Sequence, residues 1–284
     1  MDSQEKGVPI RVPATANLMV ASEDRTNGSV VDFLINKPDS IMNGFFNRIA
    51  TTEVVLDWRV YNISQTSLGN ATFSVVVGGN PYSITLVPGQ YSVAYALDEI
   101  AAELNNAGTG ANWDVVPATG NAASVGIVYL RADQPWTLNL TALAAALGLA
   151  PGASTNFGGT NNGIYVIDPD LRAYRYIDFV SESLTYNQDV KDNSTNIRSR
   201  NVLCRWYFAS DSPPETDPLG FPILPGYVPY IARRIFSPPK QIKWNPAQPI
   251  GQMRLQVYAD SLPGTALSFA GQMEYYMTLQ VSEN

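Results

Sequence analysis

Two hydrophobic periods alternate along this chain. From Thr51 to Ser64, "TTEVVLDWRVYNIS", the positions Val54, Leu56, Trp58 and Val60 interleave with Val55, Asp57, Arg59 and Tyr61. That period of two predicts a strand with one cleanly apolar face. The stretch Asn80–Gly108, "NPYSITLVPGQYSVAYALDEIAAELNNAG", opens with the same period, passes a Pro-Gly turn and then changes. Val93, Leu97, Ile100, Ala101 and Leu104 fall on one stripe at a period of about 3.6, which predicts an amphipathic helix. Ser92 stands at its N-cap position and Gly108 just past its end. "TALAAALGLAPG" repeats the arrangement on a smaller scale, with Thr141 as cap and Gly148 as stop.

Short strands surround these helices. "ATFSVVVGG" and "PYSITLVPG" meet at Gly78-Gly79-Asn80, a hairpin signal. "NWDVVPA" and "SVGIVYLRA" predict a second pair, and "WTLNL" a further short strand. The segment "GASTNFGGTNNG" then reads as a linker by composition. On either side the pattern is plain β: "SVVDFLINKP" before, and "IYVID", "YRYIDFVSESLTYN", "NIRSRNVLCRWYFAS", "ARRIFSPPKQIKWN", "GQMRLQVYAD" and "EYYMTLQVSE" after. These flanks hold roughly eight strands, the number needed for a jelly roll of two packed sheets. The expected architecture is therefore mainly β, an eight-stranded jelly-roll sandwich with an inserted small α/β domain. Residues 1–27 are read as an N-terminal arm, 28–67 plus 161–284 as the jelly roll, and 68–160 as the insertion.

Composition narrows the function. Of 284 residues 45% are hydrophobic, enough for a real core, but only 15% are charged, below the usual share of roughly 25%. Much of the surface must be neutral, as in a subunit whose flanks are covered by neighbours. The net charge is −7, and the first twenty residues carry only Lys6 and Arg11 as bases. Direct nucleic-acid binding is not expected from such a balance. Histidine is absent, which removes Ser-His-Asp and Cys-His catalysis and His-ligated zinc. The single cysteine, Cys204, lies in an alternating apolar run and reads as a buried thiol. No disulfide can form within the chain, no apolar signal segment opens it and no run suits a membrane span, so synthesis in a reducing compartment is expected.

Three stretches carry a resemblance: "TTEVVLDWRVYNISQT" leading into a short hairpin, "ITLVPGQYSVAYALDEIAAELNNAG", and "IKWNPAQPIGQMRLQVYADSLPG". Together they resemble jelly-roll capsid proteins of double-stranded DNA viruses, in particular the minor or penton-type proteins of virophages, polinton-like viruses and related large eukaryotic viruses. The resemblance implies a shell subunit of the virion, forming cyclic homo-oligomers, pentamers first and trimers second, beside a major capsid protein. It implies no cofactor and no enzyme activity.

Candidate contact residues follow. The proline-rich stretch 211–229 restricts its own backbone and so loses less entropy on docking; Pro214, Pro222 and Tyr227 stand for it. Arg198, Arg200, Arg233 and Arg234 are candidate partners for acidic residues of a neighbouring subunit. The alternative reading is a spike or lectin-like module binding a host glycan or receptor through Trp113, Tyr129 and Trp136 of the insertion; the plainer reading of these rings is that they fill its core. Asp168 and Asp170 could bind calcium, although a polar turn around Pro169 explains them as well; Asp189 and Asp192 read alike. The sequons at Asn27, Asn62, Asn70, Asn139 and Asn193 are expected to stay unused.

Overall fold

The computed structural model describes residues 14–36, 46–58, 60–66, 68–116, 128–156, 162–185, 202–207, 230–243, 250–259 and 274–283. In chain order the elements are β1 (Thr15–Ala21), β2 (Asn27–Ser29), β3 (Asp32–Asn36), β4 (Arg48–Trp58), β5 (Thr72–Val77), β6 (Asn80–Thr85), α1 (Val93–Asn106), β7 (Trp113–Val116), β8 (Tyr129–Ala132), β9 (Trp136–Leu138), α2 (Ala142–Ala146), β10 (Gly152–Ala153), β11 (Thr155–Asn156), β12 (Asn162–Tyr165), β13 (Tyr176–Val180), α3 (Glu182–Thr185), β14 (Val202–Tyr207), β15 (Tyr230–Ile235), β16 (Gln241–Lys243), β17 (Gln252–Ala259) and β18 (Tyr275–Ser282).

Two five-stranded antiparallel sheets form a sandwich. One runs β1-β18-β4-β15, with β16 also paired to β4; the other runs β14-β13-β17-β3-β2. Beyond the β2–β3 hairpin, β15 and β16 act as one interrupted strand on β4, leaving four strands per sheet. The chain passes back and forth between the two sheets, which is the double Greek-key winding of a jelly roll. Their facing sides share one core, with Trp58, Phe33, Phe179, Leu56, Leu255 and Tyr275 among its buried side chains.

The alternation on β4 survives as expected, with Val54, Leu56, Trp58 and then Val60 buried. Nearer the strand start the parity is reversed, with Ile49 and Thr51 inward. The reason is a bulge: Thr278 of β18 pairs with Glu53 while Leu279 pairs with Thr51, so Thr52 is the extra residue. A second bulge, between Phe179 and Val180 opposite Cys204 and Val202, leaves Leu203 and Cys204 both buried in succession. Burial pushes the Cys204 thiol up to about 12. We expect a thiol reagent to modify no cysteine in the native protein and the single one after denaturation, read by absorbance of the released chromophore.

Tyr275 lies fully buried between Phe33 and Phe179, with ring centroids 5.8 and 5.2 Å away. Among the described residues its hydroxyl has no hydrogen-bond partner. An unmet buried hydroxyl costs stability, so Tyr275→Phe should stabilise the protein by about 1 kcal/mol, measured by denaturant unfolding at unchanged m-value.

Between β4 and β13 the chain builds a second core, from Ile63 to Leu171, separate from that of the sandwich. Two four-stranded sheets frame it, β10-β9-β5-β6 and β11-β12-β8-β7. Ser92 and Thr141 cap α1 and α2 as their positions predict, accepting from the backbone N–H of Tyr95 and Ala144 at 3.2 and 3.1 Å. Gly108 and Gly148 end the helices with φ of 65° and 68°. Gly78 and Gly79, both at positive φ, make the two-residue turn between β5 and β6.

Three placements differ from the sequence reading. β1, within the stretch read as an arm, is an edge strand of the sandwich in continuous register with β18. β12, read as part of the sandwich, pairs with β8 of the second core. The glycines and asparagines around it suggested a linker, but Gly163 sits tightly in the sheet: a Cβ there would lie 3.0 Å from the Leu130 carbonyl oxygen. The run after β13 turns into the short helix α3 instead of continuing as strand.

Candidate functional site

Residues that could act on other molecules lie on the sandwich's outer faces and edges and on the second unit's sheet faces. On the β1-β18-β4-β15 sheet the outward positions align in rows across the strands. One row holds Ala21, Tyr276, Val55 and Arg233; the next holds Met19, Thr278, Glu53 and Ile235. Arg233 donates to the Glu53 carboxylate on the neighbouring strand, so this predicted interface arginine is partnered within the chain. Arg234 points to the opposite side of β15 and is half-buried. Exposed apolar side chains stand on the two edge strands of this face: Met19 is 76% exposed, Ile231 77% and Ile235 58%. Arginines drew attention to "IARRIF", but its alternating isoleucines are the residues left open to solvent.

The opposite sheet presents polar and aromatic groups. Asp178 is fully buried beneath Arg205, which donates from Nε and Nη2 at 2.6 and 2.8 Å. The same guanidinium lies 4.0 Å over the Tyr176 ring, and its proton is held still more tightly than usual by that carboxylate. Arg254 forks onto Asp32 at 2.8 and 2.7 Å, while Gln256 donates to the same carboxylate. The Arg254 hydrogen bonds hold the Asp32 carboxyl below its ordinary 3.8, and Arg172 does the same for Asp170. A lowered folded pKa favours the charged form in the fold, so this stabilisation is complete above about pH 4 and is lost as pH falls further. The thermal midpoint should therefore drop on acidification below about pH 4, with no histidine to add a step between pH 5 and 8.

In the second unit the predicted ligand surface is largely inside. Trp113 and Trp136 are 4% and 2% exposed and pack edge to face with centroids 4.9 Å apart. Their indole N–H groups donate to Thr109 Oγ1 and to the Asn162 carbonyl, both at 2.9 Å. They are core residues and offer no ring face to a sugar, which corrects the expectation for these two positions. Tyr129 remains at the surface, half-buried and edge-on to Tyr165 on the neighbouring strand at 5.7 Å. Arg131 and Asp114 form a forked ion pair in the next row of that face. Asp170 is held by Arg172 through two 2.8 Å bonds, and Asp168 sits in a turn at φ 50°. Among the described residues no cluster of three or more metal-ligating side chains occurs, and no helix is long and apolar enough to cross a membrane. Arg198, Arg200, Pro214, Pro222, Tyr227, Asp189 and Asp192 lie outside the described residues.

The chain leaves and re-enters the sandwich through a dense set of hydrogen bonds that the sequence reading missed. Asn62, fully buried, accepts from the Tyr91 N–H and donates to the Tyr91 carbonyl, both at 2.8 Å. Asn70 donates to the Asn62 carbonyl and accepts from the Ser64 N–H. Gln90 donates to the Val60 carbonyl at 2.7 Å. The only sequence signal here was the pair of sequons at Asn62 and Asn70, which says nothing about burial.

No protein-family model matches the chain, and no curated protein does. Solved structures do match. The mavirus penton protein aligns with a TM-score of 0.51 at 10% identity, over 95% of this chain and 100% of its own. A chain of the Sputnik virophage, solved by cryo-electron microscopy, also gives 0.51 at 10% identity, over 95% of this chain and 97% of its own. Sandwich and interposed unit are thus matched together, and the chain, a jelly roll by its strand order, shares its fold with the mavirus penton protein.

Proposed function

We propose that this chain is a structural subunit of a virion shell, a penton-type or minor capsid protein that closes into cyclic homo-oligomers beside a major capsid protein. The observation that carries this reading is the fold match over 95% of this chain and all of the penton protein, a span that takes in the unit between β4 and β13 as well as the sandwich. The low share of charged residues and the apolar outer face around Met19, Ile231 and Ile235 support it, since a shell subunit covers its flanks with neighbours. Five-fold closure is the first symmetry proposed and three-fold the second. The role is structural, without cofactor or catalysis.

We also assign the segment 63–171 as an inserted domain, on the strength of its separate core and of its position between consecutive sandwich strands. Replacing it with a short glycine linker should leave a soluble β protein; loss of folding would reject the division. Light scattering of the purified protein should show a closed oligomer, and a strict monomer at high concentration opposes the capsid reading. A density map of the assembled particle would place the chain at the vertices if it is a penton. Of its three candidate rings the glycan-binding alternative keeps only the half-buried Tyr129, edge-on to the exposed Tyr165. A glycan array with hits abolished by Tyr165→Ala would favour it.

A further inference from the structure

The two sheets of the sandwich treat their edges differently. In the β14-β13-β17-β3-β2 sheet both edges are blunted: β2 has three residues, and β14 carries a bulge and Arg205. Such features stop a strand from pairing with another chain. The β1-β18-β4-β15 sheet lacks these guards on β1. That strand pairs with β18 over seven consecutive residues, Thr15 to Ala21, without a bulge, a proline or a charge. At the far edge β15 has six residues, and Arg233 turns back across the sheet to Glu53. Among the described residues no further strand pairs with β1 or with β15. The three most exposed apolar side chains of this sheet, Met19, Ile231 and Ile235, belong to these two edge strands. Row alignment through Thr278 and Glu53 puts Met19 and Ile235 on the same face.

Strand direction makes the edges complementary. β1, β18, β4 and β15 are antiparallel in turn, so β1 and β15 run in opposite directions. A second copy rotated about an axis along the strands therefore brings its β1 antiparallel to β15 of the first. The outward faces continue across the join, and Met19 of one copy meets the Ile231–Ile235 row of the next. A contact between two different edges is heterologous and closes into a ring when the rotation fits. We propose that copies of this chain associate head to tail through β1 and β15, continuing one sheet from subunit to subunit. This rests on the self-assembly reading above and names the surface that performs it.

The test uses the full chain. Met19→Lys and Ile231→Lys place a charge on an exposed edge position. Each is expected to turn the oligomer into a monomer by light scattering, with an unchanged far-ultraviolet circular dichroism spectrum showing that the fold is kept. In parallel, proteins carrying Met19→Cys or Ile231→Cys are mixed and treated with a short bismaleimide; buried Cys204 does not compete. Cross-links between the two proteins are expected, and these variants also decide the matter where a lysine variant fails to fold. An oligomer of unchanged mass in both lysine variants, without a 19–231 cross-link, overturns the edge contact and leaves self-assembly standing. Cross-linking of Met19→Cys protein to itself alone overturns the head-to-tail arrangement in favour of a two-fold pairing of β1. A wild-type protein that stays monomeric at every concentration overturns self-assembly and the edge contact together.

Discussion

Gly148→Ala is expected to destabilise the protein by about 4 kcal/mol or more, enough to leave much of the chain insoluble. Gly148 ends α2 at φ 68°, where a side chain is already strained. An added Cβ would stand 2.0 Å from the Ile167 carbonyl oxygen and 2.8 Å from its carbon. Both are backbone atoms, held by the Ile167 N–H bond to the Gly148 carbonyl at 2.9 Å and by the Leu149–Val166 bridge, so no rotamer change relieves the clash. Gly78 supplies the control. Its φ of 57° is similar, but nothing lies within 4 Å of the Cβ position. Gly78→Ala should therefore cost only the conformational term, about 1 kcal/mol. Denaturant unfolding of both variants measures the difference. Equal losses would show that backbone conformation alone, not the approach of Ile167, fixes glycine at position 148.

Asn62→Leu should cost about 3 kcal/mol or more, because it leaves the Tyr91 N–H and carbonyl unsatisfied inside the protein, at about 1–3 kcal/mol each. The side chain of Asn62 satisfies that peptide unit on both sides, as a neighbouring strand would. Leucine matches its size but has neither donor nor acceptor. Asn62→Asp keeps an acceptor for the Tyr91 N–H and, once protonated, a donor for the Tyr91 carbonyl, so its loss should fall between wild type and leucine. Unfolding followed separately through the tryptophans of the two cores, Trp58 and Trp206 in one, Trp113 and Trp136 in the other, would tell whether the two cores remain coupled. An Asn62→Leu protein as stable as wild type would reject the clamp.

The local signals in the chain were reliable where a single residue type dictates backbone geometry. Gly78-Gly79 gave the hairpin, Ser92 and Thr141 the caps, and Gly108 and Gly148 the stops. The period on β4 identified its inner face, and the number of β segments in the flanks pointed to a jelly roll. What failed to show in the sequence depends on partners distant along the chain. The bulge at Thr52 is defined only by the register with β18. Membership of β12 in the second core depends on β8, and its glycine resembles a linker until the Leu130 carbonyl is seen beside it. Trp113 and Trp136 look like candidates for a sugar platform because an aromatic ring in a short strand carries no mark of which face it occupies. The exposed isoleucines of β15 were legible as alternation but were outweighed by the two arginines between them.

The bonds around Asn62 also have a mechanical side. A load on the inserted domain reaches the sandwich through the chain at residues 60–62 and 171–174. On the entry side Gln90 bonds to Val60 of the sandwich core and Asn62 bonds to Tyr91 of the second core, in parallel with the covalent chain. Bonds arranged this way share a pull with the backbone and resist bending at the junction. In the shell proposed above, a push on the second unit would pass into the sandwich through these bonds as well as through the chain.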